Sequence, residues 1–379
     1  MLGLYVHIPF CSAICNYCNF NRGLFDPQGK ARYVEALTRE IVGWRDPSRP
    51  GASREPADTV YFGGGTPSLL SAEDVEAILT ACRAAYALDE AAEITLEANP
   101  DTVSVASLSA YRAAGVNRLS FGVQSFRDDE LKRLSRVHDA GRATRALTEA
   151  RQAGFDNISL DLMMWLPGQQ VEQWLESVEA AIAIAPEHIS LYMLEVYPNA
   201  PLRDEMARSA WSQAPDDDVA AMYVTAMERL EGAGYNQYEI SNVARPGRRS
   251  RHNLKYWTDG EWEGFGCGAH STRLGVRWKN VSSTEDYIRR VGQGESPSTE
   301  KRCLTVEERL GDALFTGLRL SDGVDVRAVN SRYATDIWRR FGQQLQPYIE
   351  LGLLEATSDQ WRLTREGWLL AHEVMAVFV

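Results

Sequence analysis

No uninterrupted apolar run in this chain reaches the roughly 18 residues that a membrane span needs, which excludes an ordinary transmembrane helix. The opening residues, Leu2-Gly3-Leu4-Tyr5-Val6, offer no charged n-region, apolar core or small-residue cleavage site, so no export signal is expected. The reading is a cytoplasmic protein, under reducing conditions that suit thiolates better than disulfides. Positive charge is in deficit. Against 52 Asp and Glu stand 40 Lys and Arg, a formal −12, which argues against nucleic acid as a partner and sends any anionic ligand to a local basic patch. Cysteine is scarce, six in 379 residues, and Cys82, Cys267 and Cys303 stand far apart with no paired spacing. Low-complexity segments are missing, and the length allows one large domain plus a smaller one.

The other three cysteines crowd into one stretch, Tyr5-Val6-His7-Ile8-Pro9-Phe10-Cys11-Ser12-Ala13-Ile14-Cys15-Asn16-Tyr17-Cys18-Asn19-Phe20, spaced C-x-x-x-C-x-x-C after a short β-like run from Leu4 to Ile8. Three thiolates on one loop can hold a metal centre. Structural zinc wants four protein ligands, and no fourth cysteine is near. A [4Fe–4S] cluster held by Cys11, Cys15 and Cys18 alone keeps one iron open for chemistry. A zinc knuckle or three buried thiols is the blander alternative.

A second stretch, Gly63-Gly64-Gly65-Thr66-Pro67-Ser68, follows the apolar strand Thr59 to Phe62. Three glycines remove every Cβ, so a ligand can approach the backbone and its amides. No Gly-Lys-Ser/Thr follows, so this is not a Walker loop.

Strand and helix patterns then alternate. Helix Gly29 to Trp44 and a Pro/Gly/Ser-rich passage from Asp46 to Pro56 lead to the strand at 59. A helix capped by Ser71 runs to about Tyr86, followed by strand Glu93 to Glu97, helix Val105 to Ala114, strand Arg118 to Gly122 and helix Ala140 to Ala153. Strand Asn157 to Met163, helix Gln169 to Ile184, strand His188 to Leu194, helix Asp216 to Gly232 and strand Tyr235 to Ser241 complete the series. Repeated βα units mean parallel strands, in a doubly wound sheet or a barrel. The polar residues Glu97, Gln124, Arg136 and Asp161 sit at or just past strand ends, where barrel sites collect. The division falls near residue 297. Beyond it, helices Thr305 to Leu318 and Ala334 to Leu351, a hairpin through Leu354 and Trp361, and a helix from Thr364 suggest a small winged-helix-like domain, read as a lid or docking module.

The cysteine spacing and the GGGTP segment resemble the radical SAM superfamily, and the likeness extends over nearly the whole chain toward its HemN/HemW group. That group comprises oxygen-independent coproporphyrinogen III dehydrogenase and a heme chaperone relative. The resemblance favours a partial (β/α)6 barrel for residues 1–297 and a HemN-type domain for 298–379. It implies that S-adenosylmethionine caps the open iron and that an electron from the cluster, supplied by an electron donor, cleaves it to a 5′-deoxyadenosyl radical. Gly64, Gly65, Thr66, Glu97, Gln124, Arg136, Asp161, Tyr5 and Tyr17 match the group's contacts to that cofactor.

Two departures separate the chain from the dehydrogenase. Phe20 stands where that enzyme has a fourth cysteine, and only ten residues precede Cys11. The chaperone branch adds H-N-x-x-Y-W, present here as His252-Asn253-Leu254-Lys255-Tyr256-Trp257. A neutral imidazole suits heme iron, and Tyr256 and Trp257 offer flat faces to a porphyrin. Arg245, Arg248, Arg249 and Arg251 form a basic cluster for propionates or anionic membrane headgroups. In Gly264-Phe265-Gly266-Cys267-Gly268-Ala269-His270, Cys267 and His270 are a second source of ligands. Trp165 stands where relatives carry a glycine, which changes the shape of the pocket. The expectation is a heme chaperone delivering heme to acceptor hemoproteins at the membrane surface, with a homodimer left open. The alternative is the dehydrogenase itself.

Overall fold

Two interleaved sets of side chains shape the large domain, in a computed structural model that describes residues 1–43, 54–198 and 200–379. Six strands follow one another along the chain: β1 Leu2–Ile8, β2 Pro56–Gly64, β3 Ala87–Ala98, β4 Arg118–Gln124, β5 Ile158–Met164 and β6 His188–Met193. Each pairs in parallel with the next. Helices α1 Pro27–Gly43, α2 Ala72–Ala85, α3 Val105–Ala114, α4 Ala140–Gln152 and α5 Val171–Ile184 make the crossovers. Val6, Phe62, Leu96 and Leu119 are register partners, fully buried under those helices. Each contributes roughly 1.5–3 kcal/mol of burial. The alternate set, Tyr5, Tyr61, Thr95 and Arg118, is also in register and faces the lumen, as does Glu97, Ser120, Ser159 and His188. Outer wall and lumen are therefore apolar and polar by strict alternation, and a one-residue slip would exchange them.

Beyond β1 the sheet continues through Trp262–Phe265, parallel, and then Trp262–Phe265 pairs antiparallel with His270–Arg273. Beyond β6 come Asn242–Ala244 and Asn236–Glu239, both antiparallel, so the twelve-stranded sheet is a partial (β/α)6 barrel with antiparallel wings. Helix α6, Asp216–Gly232, has the bounds the sequence predicts, while the strand expected at 235–241 shortens to Asn236–Glu239. Ser71 caps α2 in a reciprocal capping box with Asp74, worth about 1 kcal/mol. The expected helix end at Trp44 and most of the turn that follows lie outside the described residues.

The expected division after Pro297 falls just ahead of Ser298–Cys303, a polar strand that forms the sheet's edge against Val276–Asn280. Past it, a separate core of Leu314, Leu318, Ile337, Leu345, Trp361 and Val374 holds the small domain together. Its three-stranded antiparallel sheet of Val324–Asp325, Gln360–Leu363 and Leu354–Ala356 includes one strand more than the hairpin predicted. The helix expected over Ala334 to Leu351 is Ile337–Glu350, and a further helix, Val326–Tyr333, precedes it. Ala334 adopts a left-handed conformation that ends the earlier helix, and Asp336 caps the later one. The expected terminal helix is interrupted at Leu370 between Arg365–Leu369 and Ala371–Met375. Arg319 ties this domain to the barrel through an ion pair to the buried Glu239 at 2.9 Å.

Candidate functional site

At the carboxyl end of β1 the chain enters the cysteine loop. Cys11 is buried, Cys15 and Cys18 are half-buried, and all six cysteines are free thiols. Phe10–Cys11 pairs with Gly23–Leu24, closing the loop at its base. Three residues that sequence reasoning passed over hold it. Asn16 donates from Nδ2 to Arg133 O and Glu205 Oε2 at 2.8 and 2.7 Å. Asn21 donates to Cys267 O and Ser282 O. His7 donates from Nε2 to Asn21 O at 2.8 Å, which makes Nδ1 the acceptor for the Tyr5 hydroxyl at 3.1 Å. Their only signal was position, inside or beside the cysteine stretch.

The glycine segment serves this loop. Gly65 N donates to Ile8 O and Thr66 N to Phe10 O, both at 2.7 Å, while Gly64 N donates to Glu97 Oε2 at 3.1 Å. The amides expected to face a ligand are thus spent inside the protein, a correction to the sequence reading. The glycines are needed for close approach instead. Gly64 has φ +116°, and a Cβ there would meet the His7 ring at 2.5 Å; a Cβ at Gly65 would meet Phe10 O at 2.7 Å and Cys11 Sγ at 3.1 Å.

The other strand-end residues converge on the same mouth. Arg136 is half-buried and reaches Cys15 Sγ with Nη1 at 3.4 Å, while Nη2 binds Asn99 Oδ1 and Gly122 O. Tyr17 lies beside it, its phenol pushed up by burial. Glu97 accepts from the Tyr61 hydroxyl at 2.8 Å, and burial raises its pKa. Asp161 is pushed up to about 7 by burial and then by the charge of Glu97. Gln124 has a left-handed backbone, φ 71°, and its buried Oε1 has no partner. The left-handed backbone and the acceptor without a protein partner suit the ligand contact expected of Gln124. Trp165, also left-handed at φ 65°, turns its indole N–H to Ala214 O.

The donor set can be tested against the groups the resemblance implies. Among the described residues no three His, Cys, Asp or Glu side chains converge closely enough to hold a single metal ion. Three cysteines on one loop with no fourth beside them suit an iron–sulfur cube with one open iron better than a four-ligand structural zinc. Arg136 beside Cys15, and Arg22 donating to Cys18 O, give the cysteine loop cationic neighbours that would favour thiolate ligands. Glu97 and Asp161 suit a ligand bearing an ammonium and a sulfonium.

The His252 motif reaches the same lumen, against Tyr5 and Tyr61. It forms helix α7, Arg251–Trp257, capped by Ser250, with the Asn253 amide bonded to the cap. Glu93 accepts from the first two helix amides. His252 is only 1% exposed, stacked on Tyr61, with Nδ1 bonded to Thr59 Oγ1 at 2.8 Å and Nε2 to the Tyr256 hydroxyl at 2.9 Å. Burial holds it neutral, its pKa lowered to about 3. Trp257 packs under the Arg319 guanidinium. The basic cluster is already engaged: Arg248 with Asp156, Arg249 with Asp322, Arg251 with Asp58, and Arg245 over the Tyr235 ring. Cys267 is buried against Asn21 of the cysteine loop while His270 is exposed.

Barrel, cysteine loop and glycine segment together define a radical SAM protein, and the profile of the radical SAM superfamily matches residues 5–181. The HemN C-terminal domain matches residues 304–370. Heme chaperone HemW of Bacillus subtilis is 36% identical over 100% of this chain and 99% of its own length; that of Escherichia coli is 34% identical over 100% and 98%. Bovine radical S-adenosyl methionine domain-containing protein 1, mitochondrial, is 42% identical over 97% of this chain and 81% of its own. The chain belongs to the HemN/HemW group of the radical SAM superfamily, alongside these HemW proteins. Its fold matches Escherichia coli coproporphyrinogen III oxidase (HemN) with a TM-score of 0.86 at 23% identity, over 100% of this chain and 89% of that one. No helix among the described residues is long and apolar enough to cross a membrane.

Proposed function

We propose that the protein is a heme chaperone that holds a [4Fe–4S] cluster, S-adenosylmethionine and heme, and passes heme to acceptor hemoproteins. The full-length likeness to proteins named heme chaperone HemW carries this reading. Cys11, Cys15 and Cys18 would hold the cluster, and Tyr5, Tyr17, Gly64, Gly65, Thr66, Glu97, Gln124, Arg136 and Asp161 would surround S-adenosylmethionine. When bound, the cluster supplies one-electron chemistry at the sulfonium. Arg136 steadies the loop from Cys15, Glu97 braces Tyr61 and the glycine segment, and Gln124 offers its free acceptor.

For heme, the H-N-x-x-Y-W motif supplies His252 as a neutral imidazole, with Asn253, Tyr256 and Trp257 around it. Iron can reach Nε2 only if Tyr256 releases it. Exposed Phe20 in place of a fourth cysteine supports the carrier over the dehydrogenase. The test is anaerobic: the reconstituted protein should bind heme, with weaker binding in His252→Ala, and should not turn coproporphyrinogen III into protoporphyrinogen. Robust turnover would establish the dehydrogenase instead.

A further inference from the structure

Arg118, the first residue of β4, is 2% exposed and ranks among the largest fully buried side chains. It faces the lumen, one inward step below Ser120, the register partner of Glu97. Its Nε is buried without a hydrogen-bond partner, and among the described residues no carboxylate forms an ion pair with it. A buried guanidinium has five donors, cannot shed its charge and is costly when unpaired. Glu97 and Asp161 offset its charge through space only, since neither forms a hydrogen bond to it. Glu97 is committed to Tyr61 and Gly64, Asp161 faces the hydroxyls of Ser120 and Ser190, and Glu239 is committed to Arg319. The imidazoles of His188 and His252, within its electrostatic reach, are bonded to neutral hydroxyls. Above it the lumen is partly open at Tyr5, Tyr61, Glu97 and Asp161.

We infer that Arg118 is the lumen's receptor for a carboxylate, and that the carboxylate is a propionate of the tetrapyrrole. The second half rests on the heme reading above; the first rests on the orphaned guanidinium. Arginine matches a carboxylate through two parallel hydrogen bonds, and a site this dry strengthens them. The half-buried arginines of the 245–251 cluster, already paired with aspartates or stacked on tyrosine, are the weaker candidates for the same task.

The test uses cluster-loaded full-length protein, titrated in parallel with heme and with heme dimethyl ester, whose propionates cannot ionise. Wild type should prefer the free acid by about tenfold to a hundredfold. In Arg118→Gln that preference should collapse, and Arg118→Lys should restore part of it. Equal affinity of wild type for acid and ester would overturn the carboxylate site, and a preference that persists in Arg118→Gln would overturn Arg118's role. Wild type that binds neither compound would defeat the heme reading itself, and this inference with it. The acid-to-ester comparison in wild type stands even if Arg118→Gln fails to fold.

Discussion

His252 Nε2 and the Tyr256 hydroxyl lie 2.9 Å apart, one helical turn from each other on α7. The bond occupies the nitrogen that the proposed role needs for iron. Replacing Tyr256 with Phe keeps the ring and removes the competitor, a hydrogen bond worth about 1 kcal/mol. Tyr256→Phe should therefore bind heme about fivefold more tightly, and the gain should vanish in the double variant with His252→Ala. Unchanged affinity in Tyr256→Phe would remove His252 from the list of iron ligands.

Gly65 has no room for a methyl group between Phe10 O and Cys11 Sγ. Gly65→Ala should displace the cysteine loop at a cost of about 1–3 kcal/mol. The barrel should remain folded while iron and sulfide retention drops. Full retention, measured by metal analysis after gel filtration, would show that the segment does not set the loop's position.

Asp161 carries a carboxyl pushed up to about 7 from the ordinary 3.8. The folded protein keeps this proton in a window, from about pH 4 to 7, where the unfolded chain has lost it. The group's contribution to stability is therefore fully present below about pH 4 and is lost as pH rises through 7. Asp161→Asn cannot ionise. Without S-adenosylmethionine it should melt a few degrees above wild type at pH 8 and level with it near pH 4. A gap independent of pH would contradict the assignment. With S-adenosylmethionine present, wild type should recover more than the variant, because the carboxylate then meets a cation.

Asn21 joins the cysteine loop to the carbonyls of Cys267 and Ser282, far along the chain. Asn21→Ala should speed cluster loss on exposure to a chelator by several-fold, while thermal unfolding of the barrel moves little. Equal rates would leave Asn21 a bystander.

The large domain was legible because its strands and helices carry clean apolar periods, and α3 and α6 have the bounds the sequence predicts. Ser298–Cys303 was not, since Ser-Thr-Glu-Lys-Arg-Cys is polar throughout and pairs on one side only. Val326–Tyr333 escaped notice because it is short and only its Asp325 cap announces it. At the site, residue types could be read but not their commitments. Nothing local to Gly65 or Thr66 says that their amides belong to Ile8 and Phe10. The arginines at 248, 249 and 251 find aspartates 92, 73 and 193 residues away, so their engagement depends on the fold. His252 reads as a heme ligand in sequence, with nothing local to say that α7 turns it into the lumen.

The account depends most on the three-thiol loop. Anaerobic reconstitution of wild type, followed by iron and sulfide analysis and electron paramagnetic resonance with and without S-adenosylmethionine, addresses it directly. One [4Fe–4S] cluster per chain is expected, with a signal that S-adenosylmethionine perturbs, and with both lost when Cys11, Cys15 and Cys18 are replaced by serine. Zinc in place of iron and sulfide, or a cluster that survives the triple replacement, would contradict it.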